Sequence, residues 1–157
     1  MGAASKTNTQ WGFLQQLHGL GWQDHDGWWL ACGTGTTAAG LILAEGGRRP
    51  LYGVLAVPAD HGVAQQIAAI LNEGALPDSG YELLDGSRGG FAKVDPPLLA
   101  FIEQTEQASG IPLEPLYTGK ALLALKQHVE AGEFAIGTRL IFIHTGGLQG
   151  RRGFAMT

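Results

Sequence analysis

Residues 28–45 read WWLACGTGTTAAGLILAE: a short apolar run, then a loop of glycine and threonine, then a stretch of small and apolar residues. Residues 28–32 are typical of a buried strand, because the run is apolar throughout and stops at a glycine. Residues 33–37 predict a loop, and residues 38–45 predict a helix that the following glycine pair ends. This order predicts one strand–loop–helix unit of an α/β fold.

The rest of the chain repeats this alternation. Further strands are predicted at residues 51–57, 81–84 and 139–144, and further helices at residues 62–72, 96–108 and 119–130. Asp95 is a good N-cap for the helix that starts at Pro96, since its carboxylate can accept hydrogen bonds from first-turn amides. Residues 139–144 are the clearest buried strand of the chain. Because strands that alternate with helices run parallel, the sequence predicts a parallel sheet flanked by helices.

Composition limits the classes of function. The length of 157 residues suits one domain, and 45% hydrophobic residues are enough to bury a core. The charged fraction of 15% and the 25 glycines suit a half-buried α/β domain whose tight turns let the backbone approach a ligand. The net charge of −4 and the lack of a basic stripe argue against nucleic acid as a partner.

The same counts argue against a membrane, a disulfide and a metal. No apolar run approaches the roughly 18 residues that a membrane span needs. Cys32 is the only cysteine, which excludes an internal disulfide and fits a reducing cytoplasm. The five histidines have no metal-ligand spacing and no cysteine partners, so no metal site is predicted.

The first candidate site is a loop made of Gly33, Thr34, Gly35, Thr36 and Thr37. It follows a predicted strand and opens a predicted helix, where free backbone N–H groups and the positive end of the helix dipole favour a phosphate. Two alternatives stay open. The string also fits a dinucleotide fingerprint that continues to Ala38, with Asp60 near the place of its ribose-binding acid. In the second alternative, the string is an ordinary strand-to-helix turn that binds no ligand.

Two more loops carry candidate residues. Thr145 and Gly146 follow the predicted strand 139–144, and ligands of open α/β sheets sit outside the carboxyl ends of strands. The alternative there is a glycine turn whose threonine bonds its own backbone. Tyr117 and Thr118 precede the helix at 119–130. In the alternative interpretation Thr118 is only its N-cap, and for Lys120 a solvated first-turn position is the favoured interpretation.

Four strings at residues 32–41, 89–95, 114–120 and 143–150 occur together in one order and spacing. They resemble the C-terminal part of the D-cysteine desulfhydrase / 1-aminocyclopropane-1-carboxylate deaminase family, whose members are pyridoxal-phosphate enzymes of the tryptophan-synthase β-like fold. The resemblance covers about residues 28–153. It implies an α/β fold like the C-terminal half of a fold-type II pyridoxal-phosphate enzyme. It also implies a cofactor-binding portion at 28–157 after a poorly matched segment at 1–27.

The resemblance implies a role for each candidate residue. The loop from Gly33 to Thr37 would hold the phosphate of pyridoxal 5'-phosphate, Thr145 would hydrogen-bond the pyridine nitrogen, and Gly146 would lie beside the ring. Tyr117 and Thr118 would be the catalytic residues that line the site near cofactor and substrate. Phe91 stands where many members have a tyrosine, which removes a hydroxyl from the place near the substrate.

The resemblance also implies a substrate class. Cyclopropane deaminases of this family carry a glutamate at the position of Thr118 and a leucine at that of Thr145, whereas this chain has threonine at both. The motifs are therefore similar to the desulfhydrase branch, which catalyses β-elimination and deamination of a small amino acid such as D-cysteine. A neutral hydroxyl at Thr145 does not force protonation of the ring nitrogen, which favours expulsion of a β-leaving group.

One part of the family's machinery has no match in the sequence. The family needs a lysine that forms a Schiff base with the cofactor, and it lies in the N-terminal half of those proteins. The four lysines of this chain are Lys6, Lys93, Lys120 and Lys126, and none takes that place. We therefore expect a truncated form, completed as a homodimer or by a missing N-terminal half. The alternative is a non-catalytic domain that binds a phosphorylated ligand or a dinucleotide.

Overall fold

The structure is a computed structural model that describes residues 25–58 and 61–154. Within these residues there are four strands and four helices, and each of the first two connections between strands holds one helix while the last holds two. The strands are β1 (Gly27–Cys32), β2 (Leu51–Leu55), β3 (Tyr81–Asp85) and β4 (Leu140–Ile143), and the helices are α1 (Thr36–Glu45), α2 (Val63–Glu73), α3 (Pro96–Ser109) and α4 (Thr118–Glu130). A short 3₁₀ turn, Leu148–Arg151, follows β4. No helix of the described residues is long and apolar enough to cross a membrane.

The described strands form one parallel sheet in the order β3-β2-β1-β4. This confirms the α/β fold with a parallel sheet flanked by helices. It corrects one detail, because residues 139–144 do not form the most buried strand: within the described residues β4 lies at the edge of the sheet. Of its four residues only Ile143 is buried. An apolar run indicates a strand, but it does not tell whether that strand has one neighbour or two.

The tryptophan pair of β1 shows how the sheet is covered on both faces. Trp28 and Trp29 are buried and point to opposite faces, since successive side chains of a strand alternate. The indole N–H of Trp28 donates to Glu45 Oε1 at the end of α1, at 2.8 Å. That of Trp29 donates to the carbonyl oxygen of Ala121 in α4, also at 2.8 Å. Helices α1 and α2 therefore cover one face, and α4 covers the other with α3 packed against it.

Two helix starts follow from single residues. Asp95 caps α3 as predicted, with its carboxylate accepting from the amide of Leu98 at 3.0 Å. Helix α1 begins at Thr36, two residues before the predicted start, because Gly35 adopts a left-handed conformation (φ 87°) and acts as the cap residue. Thr36 and Thr37 of the predicted loop are therefore the first residues of the helix, where backbone amides lack intrahelical partners.

Candidate functional site

The carboxyl ends of β1 and β4 bring two of the predicted loops side by side. The two strands pair in parallel, with Leu30 beside Ile143. When that register is continued by two residues, Thr145 falls alongside Cys32, immediately before the first loop. Neighbouring strands lie about 4.8 Å apart. The loop that starts at Gly33 and the turn that contains Thr145 therefore lie next to each other at the carboxyl ends of the strands.

The first loop presents an uncapped helix start. Helix α1 has no side-chain cap and no acidic residue in its first turn. The first hydrogen bond of the helix runs from the amide of Ala39 to the carbonyl of Gly35, at 2.9 Å. The hydroxyls of Thr34 and Thr36 lie 3.1 Å apart. The positive end of the helix dipole and these hydroxyls together favour an anion at this place.

A cleft of about 430 Å³ lies against this loop. Its walls come from the loops after β1 and β2 and from the first residues of α2: Gly33, Thr34, Thr36, Val57, His61, Gly62, Val63 and Gln66. Gly62 is a left-handed cap residue without a side-chain cap bond, as Gly35 is. This second wall is not among the sequence-predicted site residues, although a His-Gly pair directly before a helix is a signal for it. Asp60 of the dinucleotide alternative lies outside the described residues.

The ring of Tyr117 covers the first residue of the loop. A Cβ added to Gly33 would lie 3.1 Å from Cε1 of Tyr117, so a glycine is what lets the ring approach. Phe91 packs against the ring of Tyr117, with ring centroids 5.3 Å apart at 61°. The fold therefore brings together Gly33, Tyr117 and Phe91 from three separate segments of the chain. Phe91 is 37% exposed, so the aromatic pair borders open space.

Thr145 and Gly146 lie in an exposed turn. Thr145 is exposed, and Gly146 and Gly147 have left-handed φ values of 83° and 75°. The amide of Gly146 donates to Nδ1 of His144 at 3.0 Å. In the described part of the chain no group of three or more His, Cys, Asp or Glu side chains is placed to hold a metal ion.

Comparisons with known proteins agree on one relationship, although no protein-family profile matches the chain. It is 31% identical over 131 residues to the "Putative 1-aminocyclopropane-1-carboxylate deaminase" of Pyrococcus horikoshii, covering 77% of this chain and 39% of that protein. It is 27% identical over 128 residues to the mitochondrial bifunctional D-cysteine desulfhydrase/1-aminocyclopropane-1-carboxylate deaminase of Arabidopsis thaliana, covering 77% of this chain and 32% of that protein. A crystal structure described as an ACC deaminase homologue matches with a TM-score of 0.78 and 27% identity, over 90% of this chain and 46% of that one.

The chain is homologous to the D-cysteine desulfhydrase / 1-aminocyclopropane-1-carboxylate deaminase family. This confirms the resemblance carried by the four sequence strings, and the matched crystal structure confirms the fold. The chain spans only 39% and 32% of the length of the two curated relatives. A large part of each relative therefore has no counterpart in the matched region.

In this homologue of the desulfhydrase/deaminase family, a buried carboxylate fixes the segment that leads to Tyr117. Glu114 is fully buried and accepts hydrogen bonds from the amides of Leu116 and Tyr117, both at 2.7 Å. It also accepts from the amide of Thr118 at 2.5 Å and lies 3.2 Å from that residue's hydroxyl. Glu114 thus occupies the start of α4, where an anion would otherwise bind. The side chain of Thr118 is buried and engaged with Glu114, and its predicted catalytic role stays a prediction.

The interpretation of Lys120 as a solvated residue is wrong. Its side chain is 2% exposed, and Nζ donates to the carbonyl oxygens of Ser87 (3.1 Å), Gly90 (3.0 Å) and Phe91 (2.8 Å). Burial lowers the pKa of Lys120, and the nearby Arg88 lowers it further. Three carbonyl oxygens receive the three protons of the ammonium group. Lys120 therefore fastens the segment that carries Phe91 to the first turn of α4.

The described lysines do not reach the cleft. No lysine belongs to its walls. The ammonium of Lys120 donates its hydrogen bonds to the three carbonyl oxygens. Lys126 forms an ion pair with Glu130, and Lys93 is exposed. Lys6 lies outside the described residues. The residues of the cleft therefore fit the phosphate of pyridoxal 5'-phosphate, while its covalent partner is not supplied by any lysine of the described part.

Proposed function

We propose that this chain binds pyridoxal 5'-phosphate and forms the cofactor-binding part of a pyridoxal-phosphate-dependent lyase or deaminase. The observation that carries the proposal is the uncapped start of α1, where Gly33, Thr34 and Thr36 of the loop at residues 33–37 line a cleft of about 430 Å³. A phosphate there would accept hydrogen bonds from first-turn amides and threonine hydroxyls. The family relationship points to the same cofactor.

Bound pyridoxal 5'-phosphate supplies an electron sink for a carbanion at the α-carbon of an amino acid. The residues of this chain bind and orient it. Thr145, at the neighbouring strand end, offers a neutral hydroxyl to the pyridine nitrogen, and Gly146 leaves room beside the ring. Tyr117 covers Gly33 and thereby closes the side of the site next to the phosphate loop.

The proposed substrate is a small amino acid of the D-cysteine type, which undergoes β-elimination and deamination. Thr145 supports this choice, because a neutral partner of the ring nitrogen favours loss of a β-leaving group. Phe91 and Tyr117 supply an aromatic wall of limited size next to the loop. Tyr117 and Thr118 are the proposed catalytic residues, with the phenol of Tyr117 as the group that borders the site.

We further propose that this chain is a truncated form without the Schiff-base lysine, completed by a missing N-terminal half or by a second copy of the chain. It spans 39% of its Pyrococcus relative, and no lysine lines the cleft. Strand β4 lies at the edge of the described sheet, and Leu140, Ile141 and Phe142 are only half-buried there. An added strand from a missing N-terminal half would cover this edge, whereas a second copy of the chain would make a homodimer. A cytoplasmic location stays a prediction.

The phosphate loop is tested with Thr37→Asp, which sets a carboxylate against the phosphate. At an effective dielectric constant between that of water and 20, the repulsion at 4 Å is roughly 1–4 kcal/mol. The Kd for pyridoxal 5'-phosphate should therefore rise about fivefold or more. The matched control is Thr138→Asp, since Thr138 precedes β4 and so lies at the amino ends of the strands, away from the loop. Equal affinities of the two variants would refute the loop assignment.

Covalent capture separates the remaining alternatives. Borohydride reduction of the purified chain with pyridoxal 5'-phosphate, followed by mass spectrometry, should label none of Lys93, Lys120 and Lys126. The same treatment after addition of an N-terminal half from a full-length relative should label a lysine of that half. Labelling of Lys93, Lys120 or Lys126 in the chain alone would contradict the proposed truncation. Protection by NAD and not by pyridoxal 5'-phosphate would favour the dinucleotide-binding alternative.

A further inference from the structure

We propose that His144 is a positioning residue that sets the place of Thr145, by tying the turn after β4 to the segment that leads to Tyr117. The inference rests on the proposed function, since it concerns how Thr145 meets the cofactor ring. The turn and that segment come from distant parts of the chain. Their relative position decides whether the hydroxyl of Thr145 and the ring of Tyr117 face one ligand.

The imidazole of His144 uses both of its nitrogens. Nε2 lies 2.7 Å from the carbonyl oxygen of Pro112, and Nδ1 lies 3.0 Å from the amide nitrogen of Gly146. A carbonyl oxygen only accepts and an amide N–H only donates, so Nε2 must carry a proton and Nδ1 must not. The geometry therefore selects one neutral tautomer. In the other tautomer, or in the imidazolium, an N–H at Nδ1 would face the N–H of Gly146.

A second contact fixes the far end of the same turn. Arg151 donates to the carbonyl oxygen of Leu113 at 2.6 Å and pairs with Glu106. A Cβ added to Gly150 would lie 2.9 Å from Oε2 of Glu114, so the 3₁₀ turn rests directly on that carboxylate. Residues 145–147 thus span two anchors on the segment 112–114, with His144 as the anchor next to Thr145.

The turn needs such an anchor because of its glycines. Gly146 and Gly147 both have positive φ and meet nothing within 4 Å of an added Cβ. Glycine populates many backbone conformations, so the turn has little conformational preference of its own. The bond from the amide of Gly146 to His144 holds the residue directly after Thr145. Because His144 is only half-buried, its loss should disturb the turn far more than the stability of the fold.

Two substitutions separate the two hydrogen bonds. His144→Asn places an amide oxygen near the position of Nδ1 and keeps an acceptor for Gly146, whereas His144→Gln places an amide nitrogen near Nε2 and keeps a donor for Pro112. The tie needs both bonds, so the positioning role predicts that each variant loses it: His144→Asn releases the turn from Pro112, and His144→Gln releases Gly146 from the imidazole position. His128→Gln is the control, since His128 lies in the last turn of α4 and pairs with Glu133.

The tie is measured without the cofactor. Imidazole ¹⁵N NMR spectra at pH 8 should show His144 as the Nε2–H tautomer. Hydrogen exchange at the amide of Gly146 should be about equally slow in the wild type and in His144→Asn, and at least tenfold faster in His144→Gln. Equal exchange rates in the Asn and Gln variants, or the Nδ1–H tautomer, would overturn the inference.

The role toward the ligand is measured by binding. The Kd for pyridoxal 5'-phosphate should rise about fivefold in His144→Gln and in His144→Asn, and less than twofold in His128→Gln, with unchanged urea midpoints for all three. Unchanged affinity in either His144 variant would overturn the positioning role. If the wild type binds no pyridoxal 5'-phosphate, the proposed function fails together with the ligand role of His144. The exchange rates would then still show whether the tie exists.

Discussion

Gly35→Ala is the substitution that tests the phosphate loop most directly. Gly35 has φ 87°, and a Cβ there would lie 2.9 Å from Cγ1 of Ile67 and 3.1 Å from Cγ1 of Val63. Both neighbours are buried at the start of α2, so they have little room to move. The substitution therefore adds a strained backbone conformation and an overpacked core contact at once.

Gly46→Ala is the matched control at the other end of the same helix. Gly46 also has a left-handed φ (58°), but nothing lies within 4 Å of an added Cβ. Both variants carry the left-handed cost of about 1–2 kcal/mol for alanine. Only Gly35→Ala carries the overpacking cost of about 1–3 kcal/mol. The difference between their free energies of unfolding should therefore be about 1–3 kcal/mol, with Gly35→Ala the less stable.

Two measurements decide the case. Urea unfolding at 25 °C, followed by circular dichroism, gives the two free energies of unfolding. Titration with inorganic phosphate and with pyridoxal 5'-phosphate under native conditions then gives the affinity of the loop, which should fall about tenfold in Gly35→Ala and stay unchanged in Gly46→Ala. Free energies that agree within about 0.5 kcal/mol would refute the tight contact with Ile67. Unchanged affinity in a folded Gly35→Ala protein would refute the assignment of the loop.

Two further predictions concern the charged groups around the site. Lys120→Met should lower the free energy of unfolding by about 2–4 kcal/mol, since three carbonyl oxygens lose a charged donor. The control Lys126→Met should change it by less than about 0.5 kcal/mol, because the ion pair of Lys126 is exposed. Equal losses of stability in urea unfolding would contradict the buried contact of Lys120. Arg151 holds the pKa of Glu106 below its usual range, so the Glu106 carboxyl binds a proton more tightly in the unfolded chain than in the folded one. The stability that the ionised Glu106 contributes is therefore present at neutral pH and is lost as the pH falls below about 4.3. The free energy of unfolding, measured between pH 3 and 7, should depend less on pH in Glu106→Gln than in the wild type. An unaltered pH profile would show that the Glu106–Arg151 pair does not contribute to stability.

Much of the fold could be predicted because its signals are local. Each strand is a short apolar run and each helix a longer segment with glycine or proline at its ends, so the alternation and the parallel sheet follow from the sequence. The strand that contains Ile143 was predicted correctly in position. Its place at the edge was not predictable, because the neighbours of a strand depend on how the whole chain is connected.

The candidate site divides in the same way. The loop from Gly33 to Thr37 could be found because a glycine-rich string between a strand and a helix carries its own chemistry. The buried state of Lys120 could not be predicted, since its three partners lie 29 to 33 residues away along the chain. His61 and Gly62 were missed for a related reason: their loop faces the first one only because β2 pairs with β1.

Local sequence thus determined which segments are strands, helices and glycine-rich turns in this homologue of the desulfhydrase/deaminase family. Those properties depend on backbone preferences and on side chains a few residues apart. Tertiary folding decided what each turn faces. Tyr117 lies over Gly33, Lys120 beneath Phe91, and His144 between Pro112 and Gly146. Except for the local bond between His144 and Gly146, these contacts join residues that are distant in the chain, and they form only when the sheet fixes the spacing and direction of the strand ends that carry the site.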